Sequence, residues 1–143
     1  MAHQRDGLPK EGFEPRIIRL LADDIPWREP WPSEKEFFKM RPEVAGMATE
    51  DDCVVLNPYS NLAEREKEAV LLNESARVFM RRSGLRPTFS LTAEQDSSFA
   101  NYGPMDSIKA TIAARILSGD PSALEPTDEQ LAFVWELRSR MGL

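Results

Sequence analysis

A chain of 143 residues, 41% hydrophobic and 29% charged, has the size and balance of one globular domain. Its net charge of −6 argues against broad contact with a phosphate backbone, so nucleic acid is not an expected partner. The single cysteine, Cys53, excludes an internal disulfide, and the single histidine, His3, leaves the folded body without a His-based zinc site, a Ser-His-Asp triad or a Cys-His pair.

The first ten residues are polar and lack the apolar run of a signal peptide. No segment approaches the roughly 20 apolar residues of a membrane helix. The expectation is a soluble, cytoplasmic protein with no membrane contact. Residues 1–14 carry no core-forming pattern and read as a disordered tail, ahead of one α-rich domain over 15–143. Six of the 11 prolines fall within the first 42 residues, so this stretch is mainly extended or irregular. The Ile17 to Leu21 run is long enough for a strand or a turn or two of helix.

A Pro/Trp-rich arm follows over 25–42. Its Trp27, Arg28 and Trp31 are either core-packing groups or a strip that binds a protein partner, because Trp and Arg are favoured at interface hot spots. Ser33 reads as an N-cap with Glu36 as its capping-box partner, opening a short helix from Glu34 to about Arg41, just before Pro42. Cys53-Val54-Val55-Leu56 is the clearest strand, bounded by Asp51-Asp52 and Asn57-Pro58. Its expected partner is the Ile17 to Leu21 run, with Thr88 to Leu91 as second choice.

A long helix is expected from a cap at Ser60 or Asn61 to about Arg82, with Gly84 as its stop. Leu62, Ala69, Leu72, Ala76, Phe79 and Met80 recur at three- and four-residue steps, and Val70, Leu71 and Val78 widen the stripe. That pattern marks a central, deeply buried amphipathic helix. Thr92 with Gln95, and Thr127 with Gln130, form two further capping boxes, which read as independent caps rather than a repeat. Between them Asp106 reads as the cap of a helix over Ser107 to Ser118, ended by Gly119. Gly103 reads as a left-handed stop before Pro104. The last helix covers Asp128 to Met141 and carries Leu131, Phe133, Val134, Trp135 and Leu137. The sum is an α-rich α+β fold: four to five helices around the long central one, and a minor two-stranded β element in the N-terminal third.

Three constellations could carry function. Asn73-Glu74-Ser75-Ala76-Arg77 has the outline of the His-Glu-x-x-His signature of the zincin metallopeptidases, with both histidine positions replaced. What that resemblance implies is a zincin-like helix without its metal, or a small hydrolase centred on Glu74 with Arg77 and Tyr102 as helpers. The alternative for the same residues is an ordinary Glu74–Arg77 ion pair. Arg77, Arg81, Arg82 and Arg86 form the one basic concentration, suited to an anion or RNA, or else to a solvated helix end complementing its dipole. The adjacent carboxylates Asp23-Asp24, Glu50-Asp51-Asp52 and Asp128-Glu129 flank expected elements as turn and cap residues. Cys53 reads as a small core residue. No catalytic signature, metal site or cofactor motif is present, and the leading reading is a non-catalytic protein–protein interaction or self-association module.

Overall fold

The computed structural model describes residues 27–120 and 122–143. The expected N-terminal tail, His3, the Ile17 to Leu21 run and Asp23-Asp24 lie outside them. In chain order the elements are α1 (Pro32–Met40), β1 (Gly46–Ala48), β2 (Val54–Leu56), α2 (Glu64–Ser83), α3 (Ala93–Ser98), α4 (Met105–Ser118) and α5 (Asp128–Met141). This is an α+β fold, with five helices and one small antiparallel sheet among the described residues.

The long helix α2 is the axis. It touches both strands on one side and α4 and α5 on the other. Leu71, Ala76 and Val78 are wholly buried, so of the residues that widened the expected stripe Leu71 and Val78 are among its deepest, while Val70 is half-buried. Ala113 and Ala114 of α4 are equally buried, and the small side chains on both helices let the two backbones approach closely. From α5 Val134, Leu137 and Met141 are buried in the core alongside Gln130, and Phe133 packs against it. Trp135, expected to help bury this helix, is 70% exposed. Among the described residues no helix is long and apolar enough to cross a membrane.

The sheet differs from the sequence expectation. Val54–Leu56 is a strand, but it pairs with Gly46–Ala48: Gly46 stands opposite Leu56, Met47 opposite Val55 and Ala48 opposite Val54. Thr88 to Leu91 is not a strand. On its other edge β2 forms a parallel bridge with Trp27, where Arg28 N donates to Val54 O at 3.2 Å. The hairpin owes its register to its turn. Thr49 N donates to Cys53 O at 2.9 Å and Asp52 N to Thr49 O at 3.1 Å, with Asp52 in the left-handed region at φ 59°. A three-residue loop ending in a left-handed residue is a common hairpin solution, and Asp tolerates that conformation better than most side chains.

Gly46 sets how closely β1 lies on α2. A Cβ there would meet Val70 Cγ1 at 2.8 Å and Val55 O at 3.0 Å. The valine can rotate, but the carbonyl belongs to the partner strand. Gly46→Ala is therefore expected to destabilise the protein by about 1–3 kcal/mol, as overpacking does, read as a lower urea midpoint at unchanged slope.

The helix ends correct several expected caps. Trp31, not Ser33, is the N-cap of α1, and its N–H donates to Glu34 Oε1 at 2.8 Å. Glu34 thus takes the capping-box role assigned to Glu36. Ala63, rather than Ser60 or Asn61, is the N-cap of α2, with Ala63 N reaching Glu66 Oε1 at 3.4 Å. Ser60 instead bonds the Pro42 carbonyl at 3.0 Å. Pro104, not Asp106, precedes α4. Before it Asn101, at φ 66°, takes the left-handed position expected of Gly103. In each case the side chain that could cap is used elsewhere or lies a residue inside the helix. Gly84, Gly119 and Gly142 end α2, α4 and α5 in left-handed conformations, where glycine has no Cβ penalty.

Candidate functional site

The described surface is indented where β1, α2 and the start of α4 meet. A cleft of about 700 Å³ opens there, within the usual range for a ligand site. Its floor is the α2 face bearing Glu74, Arg77, Met80 and Arg81. Gly46–Ala48 forms one wall; Tyr102, Asp106, Ser107 and Ala110 form the opposite one, and Gly84–Pro87 closes the end. Helical spacing explains the floor, since positions 74, 77 and 81 lie on adjacent turns.

Arg77 is held before any ligand arrives. Its Nε donates to Asn73 Oδ1 at 3.1 Å and its Nη1 to Thr111 Oγ1 at 3.0 Å. Asn73 Nδ2 in turn reaches Ser118 Oγ at 3.3 Å, so the two residues tie α2 to α4. Positions 73 and 77, which correspond to the two histidines of the zincin signature, bond each other across one helical turn. Tyr102 Oη lies 3.3 Å from the same Thr111 hydroxyl. That hydrogen bond lowers the Tyr102 phenol, against burial and with help from the Arg77 and Arg115 charges. Thr111 is the shared hub, fully buried, and sequence reading passed over it because a threonine inside a helix carries no signal of its own.

Glu74 points to the other wall. Its carboxyl lies beside the Ala48 N–H, and its Oε2 stands 3.8 Å from Arg77 Nε. Burial pushes its carboxyl above the ordinary value, more than the Arg77 charge and the Ala48 hydrogen bond bring it down. The folded state therefore holds this proton more tightly than the unfolded chain does. Stability from this group is fully present below the unfolded value of about 4.3 and declines as pH rises through the folded value. Glu74→Gln keeps an acceptor for Ala48 and removes the buried charge. It is expected to leave the protein at least as stable at pH 7 as the wild type, and to abolish this group's gain in melting temperature on acidifying towards its unfolded value of about 4.3.

The arginine concentration divides. Arg77 lies in the cleft, and Arg86 stands at its rim, largely exposed and 4.0 Å from Asp106. Arg81 also lines the cleft but holds the hairpin: its Nε donates to Asp52 Oδ1 at 2.8 Å and its Nη2 to the Thr49 carbonyl. Arg82 is not part of the lining. Among the described residues no group of three or more His, Cys, Asp or Glu comes together that could hold a metal ion.

The tryptophan arm divides too. Trp27 is buried in the core, its indole N–H without an acceptor among the described residues. Arg28 is only 4% exposed and is bound by Glu34 and Asp51. Trp31, 52% exposed, lies flat over the Arg28 guanidinium, whose carbon is 3.7 Å from the ring centre. Trp31 lines another groove of about 570 Å³ with Glu34, Met47, Ala48, Glu50 and Asp51. Met47 and Ala48 border both hollows, so the exposed half of the arm and the arginine-bearing cleft meet at β1. Cys53, beside them, is buried with its thiol pushed up by burial and by the Asp51 carboxylate, the opposite of an activated nucleophile.

Compared with known protein families, curated proteins and solved structures, the chain matches none.

Proposed function

We propose that this protein is a non-catalytic interaction module, and that the cleft beside β1 receives an anionic group of a protein partner. The observation that carries this reading is the fixed position of Arg77. Bonds to Asn73 and Thr111 orient its guanidinium in an open cleft, and a pre-oriented arginine binds a carboxylate or phosphate with less loss of side-chain freedom. Tyr102 and Ser107 add hydroxyls to the same walls, and Arg86 adds charge at the rim. The polar composition and lone buried cysteine suit a soluble, cytoplasmic protein, and the net charge of −6 argues against extended contact with a nucleic-acid backbone.

The test is the anisotropy of a fluorescein-labelled decaglutamate peptide titrated with the protein. Arg77→Gln is expected to weaken binding about tenfold, equivalent to about 1.4 kcal/mol, and Arg86→Ala by less. Raising salt should weaken all of them. Arg140→Ala, on α5 and outside the cleft, should change nothing. Equal binding by wild type and Arg77→Gln would sink the reading.

A hydrolase centred on Glu74 is the second reading. It is favoured by one observation: a carboxyl held above its ordinary value inside a concave site, where a general acid or base is placed. Turnover of labelled casein or p-nitrophenyl acetate that vanishes in Glu74→Gln would establish it. Absence of turnover, with decaglutamate binding retained by Glu74→Gln, favours the module.

A further inference from the structure

Backbone register makes β1 more than a wall. Thr49 N donates to Cys53 O and Asn57 N to Ala45 O, so in this antiparallel pair the backbone groups of the odd-numbered residues face β2. The N–H and C=O groups of Gly46 and Ala48 therefore point the other way. They point toward the cleft, whose lining brings Gly46 and Ala48 together with Glu74 on its floor. Among the described residues the sheet has two strands, and the far edge of β2 is occupied by the Trp27 bridge, so the β1 edge is the open one. Open edges recruit extended chains unless guarded, and an inward-pointing charge is a common guard. Glu74 is such a charge.

We propose that the partner enters as an extended segment with an acidic side chain, adding to β1 as a third strand while its carboxylate meets Arg77. This deepens the cleft reading above and rests on it. Strand addition supplies main-chain hydrogen bonds that any extended sequence can make, and pockets along the edge select side chains. Charge complementarity selects the acidic residue: the partner's carbonyl displaces the Glu74 carboxylate from Ala48 N–H, and its carboxylate takes the Arg77 guanidinium in place of Glu74. The groove continuing past Met47 to Trp31 joins these two apolar groups to the Glu34, Glu50 and Asp51 carboxylates, so it suits a neutral or basic neighbouring side chain and leaves the acidic one to Arg77.

The experiment uses a series of acetylated, amidated octapeptides of alternating Thr and Val, each with one Glu at a different position. Binding to the full chain is followed by amide chemical shifts and hydrogen exchange. The tightest peptide is then remade with single backbone N-methyl groups. The expected result is protection of the Gly46 and Ala48 amides, and an alternating pattern: N-methylation at every second residue weakens binding about tenfold, and at the residues between by less than about twofold. Uniform tolerance of N-methylation, with the Glu still required, overturns strand addition and leaves the anion-receiving cleft standing. A peptide whose Glu can become Gln without loss, yet which keeps the alternation, removes the acidic requirement and the cleft reading with it. No shift at Gly46, Ala48 or Arg77 for any peptide of the series overturns both.

Discussion

Gln95→Leu is expected to lower the unfolding free energy by about 2–4 kcal/mol, among the largest losses available from a single polar side chain in this protein. Gln95 and Gln130 are 1% and 0% exposed. Each closes a capping box: Thr92 N donates to Gln95 Oε1 at 3.0 Å and Thr127 N to Gln130 Oε1 at 3.1 Å. Each also binds the other. Gln95 Nε2 donates to Gln130 Oε1 at 2.9 Å, and Gln130 Nε2 returns the bond to Gln95 Oε1 at 2.7 Å. Leucine at 95 fills a similar volume, so the loss is polar. Thr92 N–H is left without its cap acceptor, and Gln130 keeps only Ser90 O and Thr127 N as partners. The double variant Gln95→Leu with Gln130→Leu should cost less than the sum of the two single ones, because neither amide is then left facing an apolar group. Urea titrations of the four proteins check this. Additive losses would mean that the two amides act separately.

Those two capping boxes were legible in the sequence, and their union was not. Thr-x-x-Gln before a helix is a local signal, whereas the Gln95–Gln130 pair depends on the starts of α3 and α5 meeting 35 residues apart. The same division holds elsewhere. The central helix follows from apolar spacing, and its left-handed stop from Gly84. β1 does not: Gly46-Met47-Ala48 is too short and too weakly β-forming to announce a strand. It is made by the 49–53 turn and by the room that Gly46 leaves for Val70. The cleft was half legible. Glu74, Arg77 and Tyr102 were chosen for their chemistry, and the fold brings all three to one hollow. Gly46 and Ser107 line it through tertiary position alone, and Thr111 sits buried behind the lining as the shared partner of Arg77 and Tyr102. Arg81 carried the right chemistry for an anion, but the carboxylate it meets is Asp52 of its own hairpin.

Arg28→Ala carries the other large effect, an expected loss of about 3–5 kcal/mol. The guanidinium joins three segments, adding to the Trp27–Val54 bridge and to the Asn57 bonds to the end of α1. Its Nη1 and Nη2 take the two Glu34 oxygens at 2.7 and 2.8 Å, and its Nε and Nη2 take the two Asp51 oxygens at 3.2 Å. Its Nη1 also reaches the Glu29 carbonyl at 3.1 Å. The arm, the start of α1 and the hairpin turn are thereby fixed to one another. Removing the cation leaves two carboxylates facing each other, one of them largely buried, and that repulsion accounts for most of the loss. Arg28→Met combined with Glu34→Gln and Asp51→Asn should recover much of it. The pH dependence has a definite sign. Arg28 holds Asp51 far below the usual carboxylate range and lowers Glu34 as well. Both groups are depressed, so their contribution is complete above the unfolded values of about 4 and is lost as pH falls below them. Wild type should therefore lose melting temperature steeply between about pH 4 and 2, and Arg28→Met much less. This window lies below the one set by Glu74, whose contribution has the opposite sign, so a melting curve from pH 7 to 2 should rise before it falls. The hairpin that Arg28 anchors also carries β1, so Arg28→Ala should weaken decaglutamate binding even at temperatures where the variant remains folded. Unchanged binding in that variant would show that the turn holds β1 in place without the arm.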